Sequence, residues 1–138
     1  MAASLRVATV DDLGHVLALW QAAGAEPSHT DDLASLERLL VHDADSLIVA
    51  EADGGTIVGS VIAGWNGWRG SIYRLVVDPA FRRAGLAHAL LDGAETRLRH
   101  CGAVRWDAVV VATDTRATGF WRSTDWEEQV ERLRFVKG

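Results

Sequence analysis

Apolar and polar positions alternate along this chain in blocks whose period changes, and the changes mark the elements. Leu5 to Val10 reads as a first strand. Thr9 and Asp12 form a Thr-x-x-Asp start signal, and Leu13, Val16, Leu17 and Trp20 follow at helical spacing. Gly24 to Thr30 is a loop holding Pro27 and His29, and Leu33, Leu36 and Leu40 mark a second short helix after Thr30-Asp31-Asp32. Leu47 to Ala50 and Thr56 to Ala63 read as two strands joined by the turn Asp53-Gly54-Gly55. Asn66-Gly67, between Trp65 and Trp68, marks another hairpin-like reversal. Ser71 to Val77 is apolar on both faces, as expected near the middle of a sheet, and Pro79 stops it.

Arg83 to His100 is the main predicted helix, with Leu86, Leu90, Ala94 and Leu98 on one face and His88, Asp92, Glu95 and Arg99 on the polar side. Val104 to Ala112 is a β-branched strand, and Thr113 or Asp114 caps a short helix to about Arg122. Alternation at Val130, Leu133 and Phe135 predicts one or two strands in the tail, Trp126 to Val136. The order β-α-α-β-β-β-α-β-α-β describes a single three-layer α/β/α domain over 1–138 with a mixed sheet.

Composition narrows the chemistry. At 138 residues, 49% hydrophobic and 24% charged, the chain has the make-up of a globular α/β protein and not of a disordered one. No apolar run is long enough to span a bilayer and the N-terminus lacks a signal-peptide plan, so a soluble cytoplasmic protein without a membrane partner is the expectation. The single cysteine, Cys101, closes a helical apolar pattern and reads as a small core hydrophobe, and no Cys/His cluster has metal-ligand spacing, so no metal is expected. A net charge of -5 disfavours nucleic acid as a partner and suits an amine-bearing substrate.

The segment Leu75-Val76-Val77-Asp78-Pro79-Ala80-Phe81-Arg82-Arg83-Ala84-Gly85-Leu86-Ala87 is the most informative. A buried strand, a stop, a two-arginine turn and a glycine-softened helix start aim unpartnered N–H groups and two cations at one point. Gly85 lets the backbone approach a ligand, and Ala87 is small for the same reason. A phosphate, and still more a pyrophosphate, suits such a point; a plain strand-turn-helix with solvated arginines is the bland alternative.

Arg82-Arg83-Ala84-Gly85-Leu86-Ala87 fits the Q/R-x-x-G-x-G/A signature of the GCN5-related N-acetyltransferases (GNAT), which the chain resembles from end to end in its strand order. The run Leu47 to Cys101, above all Gly64-Trp65-Asn66-Gly67-Trp68-Arg69-Gly70-Ser71, is similar to small bacterial members of the YpeA type. The resemblance implies a mixed, mostly antiparallel, splayed sheet and acetyl-CoA as co-substrate. It implies pyrophosphate on the N–H groups around Arg83, Ala84, Gly85, Leu86, Ala87 and His88, beside Arg82. The pantetheine arm would lie along the backbone of Leu75, Val76 and Val77, and the thioester between Tyr73–Val77 and Trp106–Val111. A backbone N–H of the Leu75–Val77 strand, with Val77 named for it, would hold the oxyanion.

The family's second signature, Asn-x-x-Ala-x-x-aromatic-Tyr-x-x-x-Gly-aromatic, aligns with Asp114, Ala117, Phe120, Trp121, Asp125 and Trp126. Asp114 stands for the asparagine that bonds the pantetheine arm, and it reads equally as an N-cap. Asp125 stands for a glycine and is expected to tolerate positive φ. Trp121 stands for the tyrosine that protonates the departing thiolate; an indole N–H donates a hydrogen bond and gives up no proton at neutral pH. Water can protonate a thiolate directly, and core packing is the other reading of Trp121.

For the base, Ser71 stands where some family members carry a glutamate. By alternation Tyr73 shares a face with Ser71, Leu75 and Val77 and is a candidate to bond the substrate or relay a proton. Glu26 and His29 border the acceptor side implied by the family and end a candidate water chain; both read otherwise as exposed loop residues. Arg74 is expected on the face opposite Tyr73, with Asp107 as its partner. Trp65, Trp68, Trp106 and Trp126 are expected to cluster near the hairpin and to line an apolar acceptor pocket, a dimer interface or the core.

The reading is an N-acetyltransferase acting on a primary amine of a small molecule or peptide, as a monomer or homodimer. A catalytically weak or inactive acyl-CoA-binding sensor is the alternative, motivated by Trp121 and Ser71. Binding of another phosphate ligand, such as a nucleotide, is a third.

Overall fold

The computed structural model describes residues 3–138, which fall into two compact units, one ending at Ala108 and the other spanning Val109–Gly138. The first unit runs β1 (Ala3–Val7), a 3-10 turn (Val10–Asp12), α1 (Leu13–Ala22), α2 (Leu33–His42), β2 (Leu47–Ala52), β3 (Ile57–Trp65), β4 (Gly70–Val77), a 3-10 turn (Pro79–Phe81), α3 (Leu86–Cys101) and β5 (Trp106–Ala108). The strands lie in that order in one sheet, antiparallel except for the parallel β4–β5 pair. The mixed, mostly antiparallel sheet of the sequence reading is the observed one.

Two neighbouring residues of β3 show why helices cover both faces. A Cβ at Gly59 would stand 2.8 Å from Leu90 of α3, whereas Ser60 bonds Trp20 of α1. Successive strand residues point to opposite faces, so α1 and α3 flank the sheet from opposite sides. On the α1 side Leu13, Val16, Leu19 and Trp20 pack with Leu36, Leu47, Val49 and Ile62. On the α3 side the buried stripe Leu86, Leu90, Leu91, Ala94 and Leu98 meets the sheet so closely that a Cβ at Gly70 would come 2.8 Å from Leu98.

The first helix starts as the Thr-x-x-Asp signal requires. Asp12 accepts from Thr9 N at 2.7 Å, and it also takes two bonds from Arg6, at 2.8 and 2.9 Å. Arg6 extends to Glu51 at 2.7 Å, so one guanidinium ties β1 to the 3-10 turn and to β2.

The main strand carries a defect that alternation alone does not foresee. Ser60 pairs with Val76 and Ile62 with Tyr73, so Arg74 and Leu75 stand opposite Val61 alone. This is a β-bulge, and Arg74 takes φ 51° within it. One extra residue returns the later side chains to the other face. Tyr73 therefore does not share its face with Val77: Val77 pairs with Gly59 and is buried on the α3 side.

Four expectations fail for local reasons. The main helix begins at Leu86 and not at Arg83, because Arg83 and Gly85 both adopt left-handed φ, 67° and 76°. The strand expected over Val104 to Ala112 is three residues long, Trp106–Ala108. Trp126 to Val136 forms no strand: Val130, Leu133 and Phe135 are exposed, and alternation makes a strand only where an edge is there to pair with. Asp125 does not take positive φ, so nothing in its backbone needs a glycine.

Candidate functional site

The first unit passes from the end of β4 through a short turn into a helix start without a side-chain cap. Asp78 caps the Pro79–Phe81 turn by accepting from Ala80 N at 2.8 Å, which brings the chain round from the end of β4. Arg83 and Gly85 then turn left-handed, and α3 begins with no side chain capping it. Its first turn thus carries backbone N–H groups that no N-cap side chain takes up, at the positive end of a 16-residue helix. A Cβ at Gly85 would meet nothing within 4 Å. The space in front of the helix is open, and the glycine is required by φ. Arg83 is exposed beside it, whereas the Arg82 guanidinium reaches back to the Ala23 carbonyl at 3.4 Å.

From this end β4 runs back along an edge that is unpaired for most of its length. β5 pairs only with Gly70, Ser71 and Ile72, and from Tyr73 to Val77 no described strand lies on that side. The β4–β5 pairing closes at Ile72–Ala108, and the bulge lies on the unpaired edge beyond it. Ile72 and Val77 are five residues apart, about 17 Å of strand.

Sequence reasoning missed what holds the bulge. Trp20 Nε1 donates to Ser60 Oγ at 2.8 Å, and Ser60 Oγ donates to the Arg74 carbonyl at 2.9 Å. The Arg74 guanidinium lies 5.2 Å over the Trp20 ring and forms two bonds with Asp31, at 3.2 and 2.5 Å. Asp31, not Asp107, is therefore its partner, and the bulge brings Arg74 to the α1 side, against the expectation from alternation. A fully buried serine in the apolar run Ile57–Ala63 was the available signal. The same Asp31 accepts from Ser28 N at 3.0 Å, so the turn that carries His29 is bound to β4. Glu26 and His29 themselves are exposed.

Ser71 and Tyr73 face the α1 side. Tyr73 is 54% exposed, and its ring lies 3.2 Å from where a Cβ of Gly64 would stand. Ser71 Oγ donates to Asp107 Oδ1 at 2.7 Å across the β4–β5 pair. The tryptophans do not gather as expected. Trp65 and Trp106 both pair with Gly70 and so share its α3 face; Trp106 lies under Arg99, 5.0 Å from ring to guanidinium. Trp68 is 69% exposed with Arg69 stacked on it at 4.2 Å.

In the second unit, Asp114 caps α4 (Thr115–Arg122) by accepting from Ala117 N at 3.0 Å, as its N-cap reading required. Trp121 stands edge-on to Phe120 and to Trp126, at 5.6 and 4.8 Å between rings. Trp126 thus belongs to this small aromatic stack. Arg122 and Glu128, 2.6 Å apart, close the turn after the helix, and the guanidinium holds the Glu128 carboxyl below its usual range.

A five-stranded, mixed and mostly antiparallel sheet with helices on both faces defines an α/β fold of a well-populated kind. The family model for the acetyltransferase (GNAT) family matches residues 14–125. An acetyltransferase of Yersinia pestis (strain Pestoides F) is 35% identical over 125 residues, covering 91% of this chain and 88% of that one. One of Photorhabdus laumondii is 37% identical over 116 residues, covering 83% and 78%. Among solved structures, Ard1 from Thermoplasma volcanium superposes with a TM-score of 0.78 at 22% identity, over 89% of this chain and 81% of that one. The PaiA N-acetyltransferase from Thermoplasma acidophilum, in complex with coenzyme A, gives 0.78 at 15% identity, over 89% and 88%. AAC(6')-Iy in complex with a bisubstrate analogue gives 0.77 at 23% identity, over 100% and 99%. This chain belongs to the GNAT acetyltransferase family. Among the described residues no group of three or more His, Cys, Asp or Glu could hold a metal, and no helix is long and apolar enough to cross a membrane.

Proposed function

We propose that this acetyl-CoA-dependent N-acetyltransferase carries the acetyl group to a primary amine of a small molecule or peptide, by direct attack in a ternary complex in the cytoplasm. One observation carries the reading: the uncapped α3 start behind Gly85 lies at the open end of the unpaired β4 edge. A pyrophosphate held there leaves about 17 Å of open strand for an extended arm to follow down to the β4–β5 pairing. The family match, 14–125, spans both units and supports one catalytic domain over 1–138.

The roles follow from position. The amides of Arg83 to His88 hold the pyrophosphate, with Arg83 and Arg82 supplying charge. The backbone of Leu75, Val76 and Val77 pairs with the donor's arm, and the N–H of this strand nearest the β4–β5 pairing, that of Leu75, holds the oxyanion as the carbonyl is attacked, since Val77 lies about 17 Å of strand from Ile72. Tyr73 contacts the acceptor, as do Glu26, His29 and the exposed Trp68. Trp65 faces the other side of the sheet and drops out of that set. Asp114 accepts a bond from the donor's arm with the oxygen its cap leaves over. Trp121 has no transferable proton, so the leaving thiolate, already a fair leaving group with a thiol pKa near 8.5, takes its proton from water.

The test is calorimetry with acetyl-CoA on Gly85→Glu and Gly85→Asn. Asparagine tolerates left-handed φ and adds no charge, so that variant should bind; glutamate adds an anion where the phosphates sit and should not bind at all. Equal affinity in both would reject the seat. Thiol release with a panel of spermidine, kanamycin and a peptide with a free α-amine then separates the transferase from a silent acyl-CoA sensor. That second reading is favoured by Ser71 and Trp121, where the family's proton-handling groups are replaced.

A further inference from the structure

The reaction consumes a neutral amine, whereas an alkylamine in water is an ammonium at pH 7, so a proton must leave at the site. β4 offers no carboxylate for this: the position of the family's glutamate is Ser71. The structure supplies one from the next strand. Asp107 is the register partner of Ser71 in the parallel β4–β5 pair, and its Oδ1 accepts from Ser71 Oγ at 2.7 Å. Its side chain shares the α1 face with Ser71 and Tyr73 and is exposed. The pair stands one residue before Ile72–Ala108, where the β4–β5 pairing closes. An arm descending the open edge from α3 therefore runs toward this carboxylate.

The charges around Asp107 leave it available. Tyr73 and Arg74 of β4 are the other titratable groups on this face of β4 and β5, the loop after α1 adds Asp31, and Arg6 of the distant β1 is taken up by Asp12 and Glu51. Arg74 and Asp31 are paired with each other, and Arg69, just before β4, lies over Trp68. No described cation pairs with Asp107, and one of its oxygens is free of the Ser71 bond.

We propose that Asp107 is the general base of this enzyme, with Ser71 as the residue that orients it; the proposal rests on the acetyl-transfer reading above. The amine nitrogen bonds the acetyl carbonyl carbon, the carbon–sulfur bond breaks, and its electron pair leaves on the thiolate. The amine proton passes through bridging waters to the free oxygen of Asp107, and from there to solvent. The thiolate takes a proton from solvent, so the exchange balances without a further reactant. Before attack the same carboxylate attracts the incoming ammonium, which gives the acceptor its orientation toward the β4–β5 pairing.

The test compares Asp107→Asn, Asp107→Glu and Ser71→Ala with the wild type on the panel amine that the wild type acetylates fastest. Asp107→Asn should lower kcat by about 10²–10⁴-fold at pH 7.5. Its deficit should shrink as the pH approaches the amine's own pKa, near 10, where solution supplies the free base. Asp107→Glu should recover part of the rate, and Ser71→Ala should lose less than Asp107→Asn. Acetyl-CoA affinity, read separately by calorimetry, should be unchanged in all three, so a failure here leaves the donor assignment standing. Wild-type kcat in Asp107→Asn, or a deficit that does not narrow at high pH, would overturn the proposal.

Discussion

At the scale of single residues, the β4 edge depends on a serine outside every proposed ligand contact. Ser60 is fully buried between Trp20 Nε1 and the Arg74 carbonyl and satisfies both. Replacing it by alanine strands a buried donor and a buried acceptor, each costing about 1–3 kcal/mol when unpaired. Ser60→Ala should lose about 2–4 kcal/mol in urea unfolding, and a loss under 0.5 kcal/mol would show that the bulge holds itself. Gly85 was legible by contrast through its place after Val-Asp-Pro and ahead of an amphipathic helix, and its left-handed φ of 76° is a conformation that glycine takes readily. Ser71 was legible only as a missing base, because the carboxylate that meets it lies 36 positions further along the chain.

At the scale of elements, clamps between segments do what local propensity does not. Arg6 joins β1, the first 3-10 turn and β2, and Arg97 of α3 joins the Ala63 carbonyl of β3, at 2.5 Å, to Asp43 after α2. The Arg6 guanidinium holds the Asp12 carboxyl far below its ordinary range, with the Thr9 amide adding to the effect. A carboxylate depressed in the folded state stabilises fully above its unfolded pKa, about 4, and that contribution fades as pH falls below it. Asp12→Asn should therefore melt below the wild type at pH 7, and the two melting curves should converge between pH 4 and 2; a gap independent of pH would exclude the ionic contribution. The helices and the first four strands were visible in hydrophobic spacing. β5 was overcalled because Val109 and Val111, β-branched but 65% and 42% exposed, have no described partner edge.

At the scale of the whole molecule, fold and donor binding are linked. A ligand that binds only the folded chain stabilises it by about 2.7 kcal/mol at one hundred times its dissociation constant. For a domain of this size that is a rise of about 5–10 °C in Tm. Acetyl-CoA should give that rise in a thermal-shift measurement with the wild type and none with Gly85→Glu. The sequence by itself determined the layer order, the strand-turn-helix with its glycine, and the family, because each rests on spacing within about 20 residues: apolar period, turn chemistry and a six-residue signature. Only the tertiary structure decided which side chains meet. The bulge at Arg74 reverses the alternation of β4, Asp31 rather than Asp107 takes the arginine, and Asp107 is left beside Ser71. Alternation fixes facing only while the register is unbroken. Register is set between strands by packing on Trp20 and Ser60, so the strand-turn-helix could be read along the chain, whereas the proposed base emerged only across it.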